Sequence, residues 1–78
     1  MPLFFFHVFD EDATFDPEGR ELAGVDAARE VALREARLLI CDSVMKGRVE
    51  LRHRIEVHDE AGNAVAAVRY GDSIEIHE

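Results

Sequence analysis

Cysteine is nearly missing from this 78-residue chain: Cys41 stands alone. One thiol closes no intramolecular disulfide, so the fold is not a covalently bridged mini-protein of the secreted kind, and a reducing compartment, the cytoplasm, is expected. Basic side chains are scarce too. Nine Lys and Arg stand against 17 Asp and Glu, a net charge of −8. That balance works against phosphate-rich partners, because nucleic-acid binders draw affinity from cations that displace counterions. The apolar run Leu3-Phe4-Phe5-Phe6 is followed by His7 and Asp10 and has no basic stretch before it, so it fits neither a signal peptide nor a membrane span. There is no phosphate-cradling glycine loop, no cysteine pair and no two histidines on one helical turn, so neither a nucleotide nor a zinc ion is expected, and no cofactor is assigned. The length suits a single domain over 1–78.

What is present suffices for a core. Residues 2–9 are short, aromatic and nearly all apolar, and they end at Asp10-Glu11-Asp12, the pattern of a buried strand running into an acidic turn. A second strand near 13–16 returns antiparallel until Pro17 and Gly19 break it. Asp26 suits a helix N-cap, since its carboxylate can accept from the free N–H groups of the first turn, and Gly47 suits the left-handed position after the last turn. A helix is therefore predicted over about 26–46. At about 100° per residue, Val25, Ala28, Ala32, Leu33, Ala36, Leu39, Ile40 and Val44 gather on one core-facing side. After Gly47 the period becomes two: Leu51, His53, Ile55 and Val57 alternate with Arg52, Arg54, Glu56 and His58, as in a half-buried strand. Asp59 to Asn63 has hairpin-turn composition, 64–70 is the returning strand, and 73–77 adds a last short one. The expected fold is α+β: an antiparallel sheet of four to five strands with one amphipathic helix packed on one face, in the order β-β-α-β-β with an optional fifth strand.

The first strand poses a problem of geometry. Side chains alternate between faces, and both faces are apolar: Phe4, Phe6 and Val8 on one, Leu3, Phe5 and Phe9 on the other, interrupted by His7. One helix covers one face. The remaining row would form a contiguous apolar patch of the kind that marks an interaction surface, and a second copy of the chain is the simplest cover. On the helix, Val31, Leu38 and Met45 recur at intervals of seven opposite the core face, a stripe that either the 10–24 segment or a partner would cover. The candidate interaction surface is thus Leu3, Phe5, His7, Phe9, Val31, Leu38 and Met45.

Other chemistry finds less support. His7 would meet His58 and Glu56 if their strands are neighbours, giving two nitrogens and a carboxylate for a divalent metal, although a polar island on a sheet is the plainer reading. Asp10, Asp12, Thr14, Asp16, Glu18 and Glu21 match the spacing of a calcium loop, but Phe15 stands where the sharp-turn glycine belongs and Pro17 follows. The cluster Lys46, Arg48, Arg52 and Arg54, with Arg69 opposite, is the one anion or RNA candidate, and Glu50 and Glu56 are interleaved with it. Cys41 has no histidine beside it, and no catalytic set emerges.

The opening Pro2-Leu3-Phe4-Phe5-Phe6-His7-Val8, the segment Glu18-Gly19-Arg20-Glu21-Leu22 ahead of an Ala- and Arg-rich helix, and Arg54-Ile55-Glu56-Val57 before the Gly62 turn resemble a family of short alphaproteobacterial proteins classed as a domain of unknown function. The resemblance spans nearly the whole chain. It implies a bacterial cytoplasmic protein with the fold above and brings no activity. A non-enzymatic interaction or regulatory module acting as a homodimer is the first expectation. A divalent-metal or small-anion binding protein is the alternative, and nucleic-acid binding through 46–54 comes third.

Overall fold

The computed structural model describes residues 1–77. Its elements are strands β1 (Leu3–Phe9), β2 (Ala13–Thr14) and β3 (Arg20–Glu21), helix α1 (Val25–Met45), strands β4 (Arg54–His58) and β5 (Ala64–Arg69), and a 3-10 turn at Tyr70–Asp72. The fold is α+β. The sheet is antiparallel throughout, in the order β2-β1-β4-β5, with β3 also pairing with β1. β2 holds the C-terminal end of β1 (Val8↔Thr14, Phe9↔Ala13) and β3 its N-terminal end (Leu3↔Glu21, Phe4↔Arg20). The segment 13–21 is thus one broken strand along a single edge of β1.

Helix α1 meets the sheet through alanine. Ala28, Ala32 and Ala36 recur every four residues and are fully buried, with Ile40 completing the row. Short side chains let the helix axis come close to the sheet, so the bulk of the core comes from Phe4, Ile55, Val57, Val68 and Tyr70, with Phe6, Val8, Leu33 and Leu39 around them. Ala32→Leu should therefore lower stability by about 1–3 kcal/mol through overpacking, read as a lower urea midpoint with an unchanged m-value.

The helix ends as the sequence indicates. Gly47 has φ +85°, its N–H donates to Val44 C=O and that of Arg48 to Ser43 C=O, the paired bonds of a Schellman motif. Its start differs: the helix begins at Val25 with Gly24 as N-cap, and Asp26 lies inside the first turn without capping it. Three further differences concern the pattern. Val25 and Val44, placed on the core face by periodicity, are exposed, whereas Val31, placed opposite, is buried at 6% exposure. Val31 shares its flank with Glu35, which reaches Arg20 of β3 at 3.7 Å, so that flank lies beside the returning 13–21 segment. The alternation over 51–57 becomes a strand only from Arg54, yet Leu51 and His53 still accept N–H bonds from Gly71 and Tyr70. The fifth strand is Arg20–Glu21, not 73–77: Ser73 is buried, its hydroxyl donates to Tyr70 C=O at 2.7 Å, and its carbonyl accepts from Arg37 Nε at 2.7 Å.

Candidate functional site

The face of the sheet away from the helix carries the polar cluster. The β1–β4 register sets Phe5 opposite His58, His7 opposite Glu56 and Phe9 opposite Arg54, so the three residues of the metal reading do come together. Glu56 is committed on both oxygens: Oε1 accepts from His58 Nε2 at 3.0 Å and Oε2 from Arg54 Nε at 2.8 Å. The His58 bond, then the Arg54 bond, hold its carboxyl below the usual value. The Arg54 guanidinium also lies 4.5 Å from the Phe9 ring centroid, and the rings of His7 and His58 meet edge to face at 4.6 Å.

The row Leu3, Phe5, His7 and Phe9 is only half exposed, because the 13–21 segment folds over it. Asp16 anchors that arm. Pro17 interrupts the strand, so the Asp16 side chain takes over from the main chain: its carboxylate accepts from Phe6 N–H of β1 and from Glu18 and Gly19 N–H, each at 3.1 Å. Its own N–H donates to His7 Nδ1 at 3.0 Å, so that nitrogen carries no proton. Burial works against the Asp16 charge, but the N–H groups of Gly19, Phe6 and Glu18 outweigh it and leave the carboxyl below its ordinary value. Phe15 lies edge-on to His7 and Phe9 at 5.3 and 5.9 Å and is itself 63% exposed. The aromatic row therefore has a cover that the alternation could not reveal, and the outermost ring is Phe15.

Each oxygen of Glu56 and one nitrogen of His7 already hold a hydrogen bond, and among the described residues no group of three His, Cys, Asp or Glu is placed to hold a metal ion. Asp16, central to the calcium-loop spacing, points its oxygens at main-chain donors. Lys46, Arg48 and Arg54 of the basic cluster pair with Asp42, Glu50 and Glu56. Of the helix stripe, Leu38 at 63% and Met45 at 87% are exposed, and Val31 drops out. Cys41 is exposed.

The remaining unmet demand is in the backbone. On one side the sheet ends in two-residue strands and Pro17, and on the other in β5, Ala-Val-Ala-Ala-Val-Arg, with six residues, no proline and one charge. Short strands and proline protect an edge from pairing, and a longer uncharged one invites it. Tyr70 N–H donates to His53 C=O at 2.8 Å, one step beyond the Arg54↔Arg69 pair. Antiparallel alternation then turns the N–H and C=O of Val68 and Ala66 toward β4 and those of Ala67 and Arg69 outward. Arg29 Nη1 agrees: it donates to the outward Ala67 carbonyl oxygen at 3.5 Å, which leaves that oxygen one lone pair and the Ala67 N–H unpaired on this edge.

Among the described residues no helix is long and apolar enough to cross a membrane. A family model described as a domain of unknown function, DUF6894, matches residues 3–71. No curated protein and no solved structure matches the chain.

Proposed function

The chain belongs to the DUF6894 family, and from that premise, which brings no activity with it, we propose that it works as a non-enzymatic, homodimeric protein-interaction module of the bacterial cytoplasm. The open edge of β5 carries this reading. In a two-fold pairing with Ala67 opposite its counterpart in the second copy, the outward N–H and C=O of the two Ala67 residues bond each other, with the long Arg29 bond to the Ala67 carbonyl shared or released. Arg69 then faces Val65, and Ala66 faces Val68, so no like charges oppose and small side chains meet at the centre. The single reduced-type cysteine supports the compartment.

The edge replaces the aromatic row as the interface, since the chain's own arm already half covers Leu3, Phe5, His7 and Phe9. Light scattering over a dilution series should show a dimer, and Ala67→Pro should give a folded monomer, because the N–H it removes points away from β4. Association should strengthen with salt, which screens the repulsion between two chains of net charge −8. A monomer at all concentrations contradicts the reading, as does a dimer that Phe5→Asp abolishes and Ala67→Pro leaves intact.

A further inference from the structure

A cleft of about 430 Å³ opens between the β1–β2 turn, the C-terminal end of α1 and residues 48–53, apart from the β5 edge. Two ion pairs on its rim neutralise themselves, Lys46 with Asp42 at 3.0 Å and Arg48 with Glu50 at 3.3 Å. Asp10, Glu11 and Asp12 line the same cleft, and among the described residues no Lys or Arg stands within ion-pair distance of any of them. Asp10 Oδ1 accepts from Asp12 N–H at 2.9 Å, which holds the turn and leaves the other oxygens of these carboxylates open.

A second observation points into the same space. Tyr70 is 2% exposed, and no described residue hydrogen-bonds its hydroxyl; yet no fully enclosed polar side-chain atom among the described residues lacks a partner. The hydroxyl therefore keeps a sliver of accessible surface, and the cleft that Tyr70 lines is where we place it. Burial, and then the charge of Asp10, push the phenol above its ordinary range, so it stays a neutral hydroxyl with lone pairs to offer. Leu39 supplies an apolar wall, and the His53 ring packs edge-on to Tyr70 at 5.6 Å.

We propose that this cleft binds an organic cation, an alkylammonium or guanidinium group, whose N–H donors reach the Asp10 and Asp12 carboxylates and the Tyr70 hydroxyl oxygen. Such a group satisfies several separated acceptors through a spread of donors, and its carbon stem suits the Leu39 wall. A bare metal ion needs converging ligands, and no described trio of His, Cys, Asp or Glu supplies them. The cation can belong to a free amine or to a basic side chain of a peptide.

Tyr70 is the only tyrosine and the chain has no tryptophan, so intrinsic fluorescence reports on this cleft alone. The protein is titrated at constant ionic strength with agmatine and, separately, with a doubly capped lysine. A saturable change in emission is expected with at least one of them, and the tighter of the two identifies the source of the cation. Asp10→Asn with Asp12→Asn should weaken binding about tenfold, whereas Glu30→Gln with Glu75→Gln, an equal change of charge elsewhere, should leave it unchanged. Tyr70→Phe, followed by thermal shift, should lose most of the stabilisation that agmatine gives the parent. A response that never saturates, equal loss in both double variants, or a response to calcium chloride and to neither amine overturns the assignment.

Discussion

Asp16→Ala should cost about 3 kcal/mol and lift the arm from β1. The carboxylate accepts three main-chain N–H bonds, from Phe6, Glu18 and Gly19. Hydrogen bonds to a charged group contribute about 1.5–3 kcal/mol each, and because solvent reaches this one the sum falls well short of three times that. Phe6 N–H lies in the stretch between β2 and β3 where no main-chain partner is available on that side, so the loss leaves a half-buried donor unpaired. Amide exchange at Phe6 should accelerate, and the half-buried Phe5 and Phe9 should become accessible to a hydrophobic dye. The effect depends on pH in a defined direction. The folded-state carboxyl lies below its unfolded value, so its contribution is complete above the ordinary carboxylate range and is lost as the pH falls through the lowered value. The difference in urea midpoint between parent and Asp16→Ala should therefore be full at neutral pH and shrink under acid. A constant difference at every pH would mean that Asp16 acts through packing alone.

Gly19→Ala should be comparably damaging, at about 2–4 kcal/mol, from two sources that add. Gly19 has φ +75°, a conformation that penalises any Cβ. The added methyl would also sit 2.9 Å from Phe5 Cε1, 3.1 Å from Leu3 Cγ and 3.1 Å from the Phe4 carbonyl oxygen. The Phe5 ring can swing, but the Phe4 carbonyl belongs to β1 and cannot. Gly62→Ala is the internal control: φ there is also positive, at +85°, but the new methyl meets nothing within 4 Å. Gly19→Ala should therefore exceed Gly62→Ala by the cost of the clash, about 1–2 kcal/mol. Equal losses at the two glycines would show that the arm does not press on β1.

Periodicity carries much of this architecture and stops at identifiable residues. The apolar run of β1, the α1 stripe ending in Gly47, and the Asp59–Asn63 turn between β4 and β5 are local patterns that translate directly into structure. The meeting of His7, His58 and Glu56 depended on strand order, which two hairpins and a helix leave open until β1 is seen between β2 and β4. The arm is less legible, because Asp16 works as a side chain replacing a strand carbonyl, and hydrophobic patterning does not register that substitution. Asp16-Pro17-Glu18-Gly19 held the signal: an acidic acceptor before a strand breaker, and a glycine free to take positive φ three residues on. Periodicity turns Val31 outward for a related reason, since a helical wheel centred on one sheet ignores a segment lying along its flank. The open Tyr70 hydroxyl has no sequence signature, as it depends on the β1–β2 turn and the end of α1 converging around it.

An isotope-filtered nuclear Overhauser experiment on a mixture of labelled and unlabelled chains tests the paired edge most directly. With Ala67 opposite Ala67, Ala66 and Val68 form the non-hydrogen-bonded pair, whose Cα atoms approach to about 4.5 Å. The prediction is a cross-peak between Ala66 Hα of one copy and Val68 Hα of the other, lost in Ala67→Pro. Intermolecular peaks confined to Leu3, Phe5, Phe9 or Phe15, or none at concentrations where light scattering reports a dimer, would contradict it.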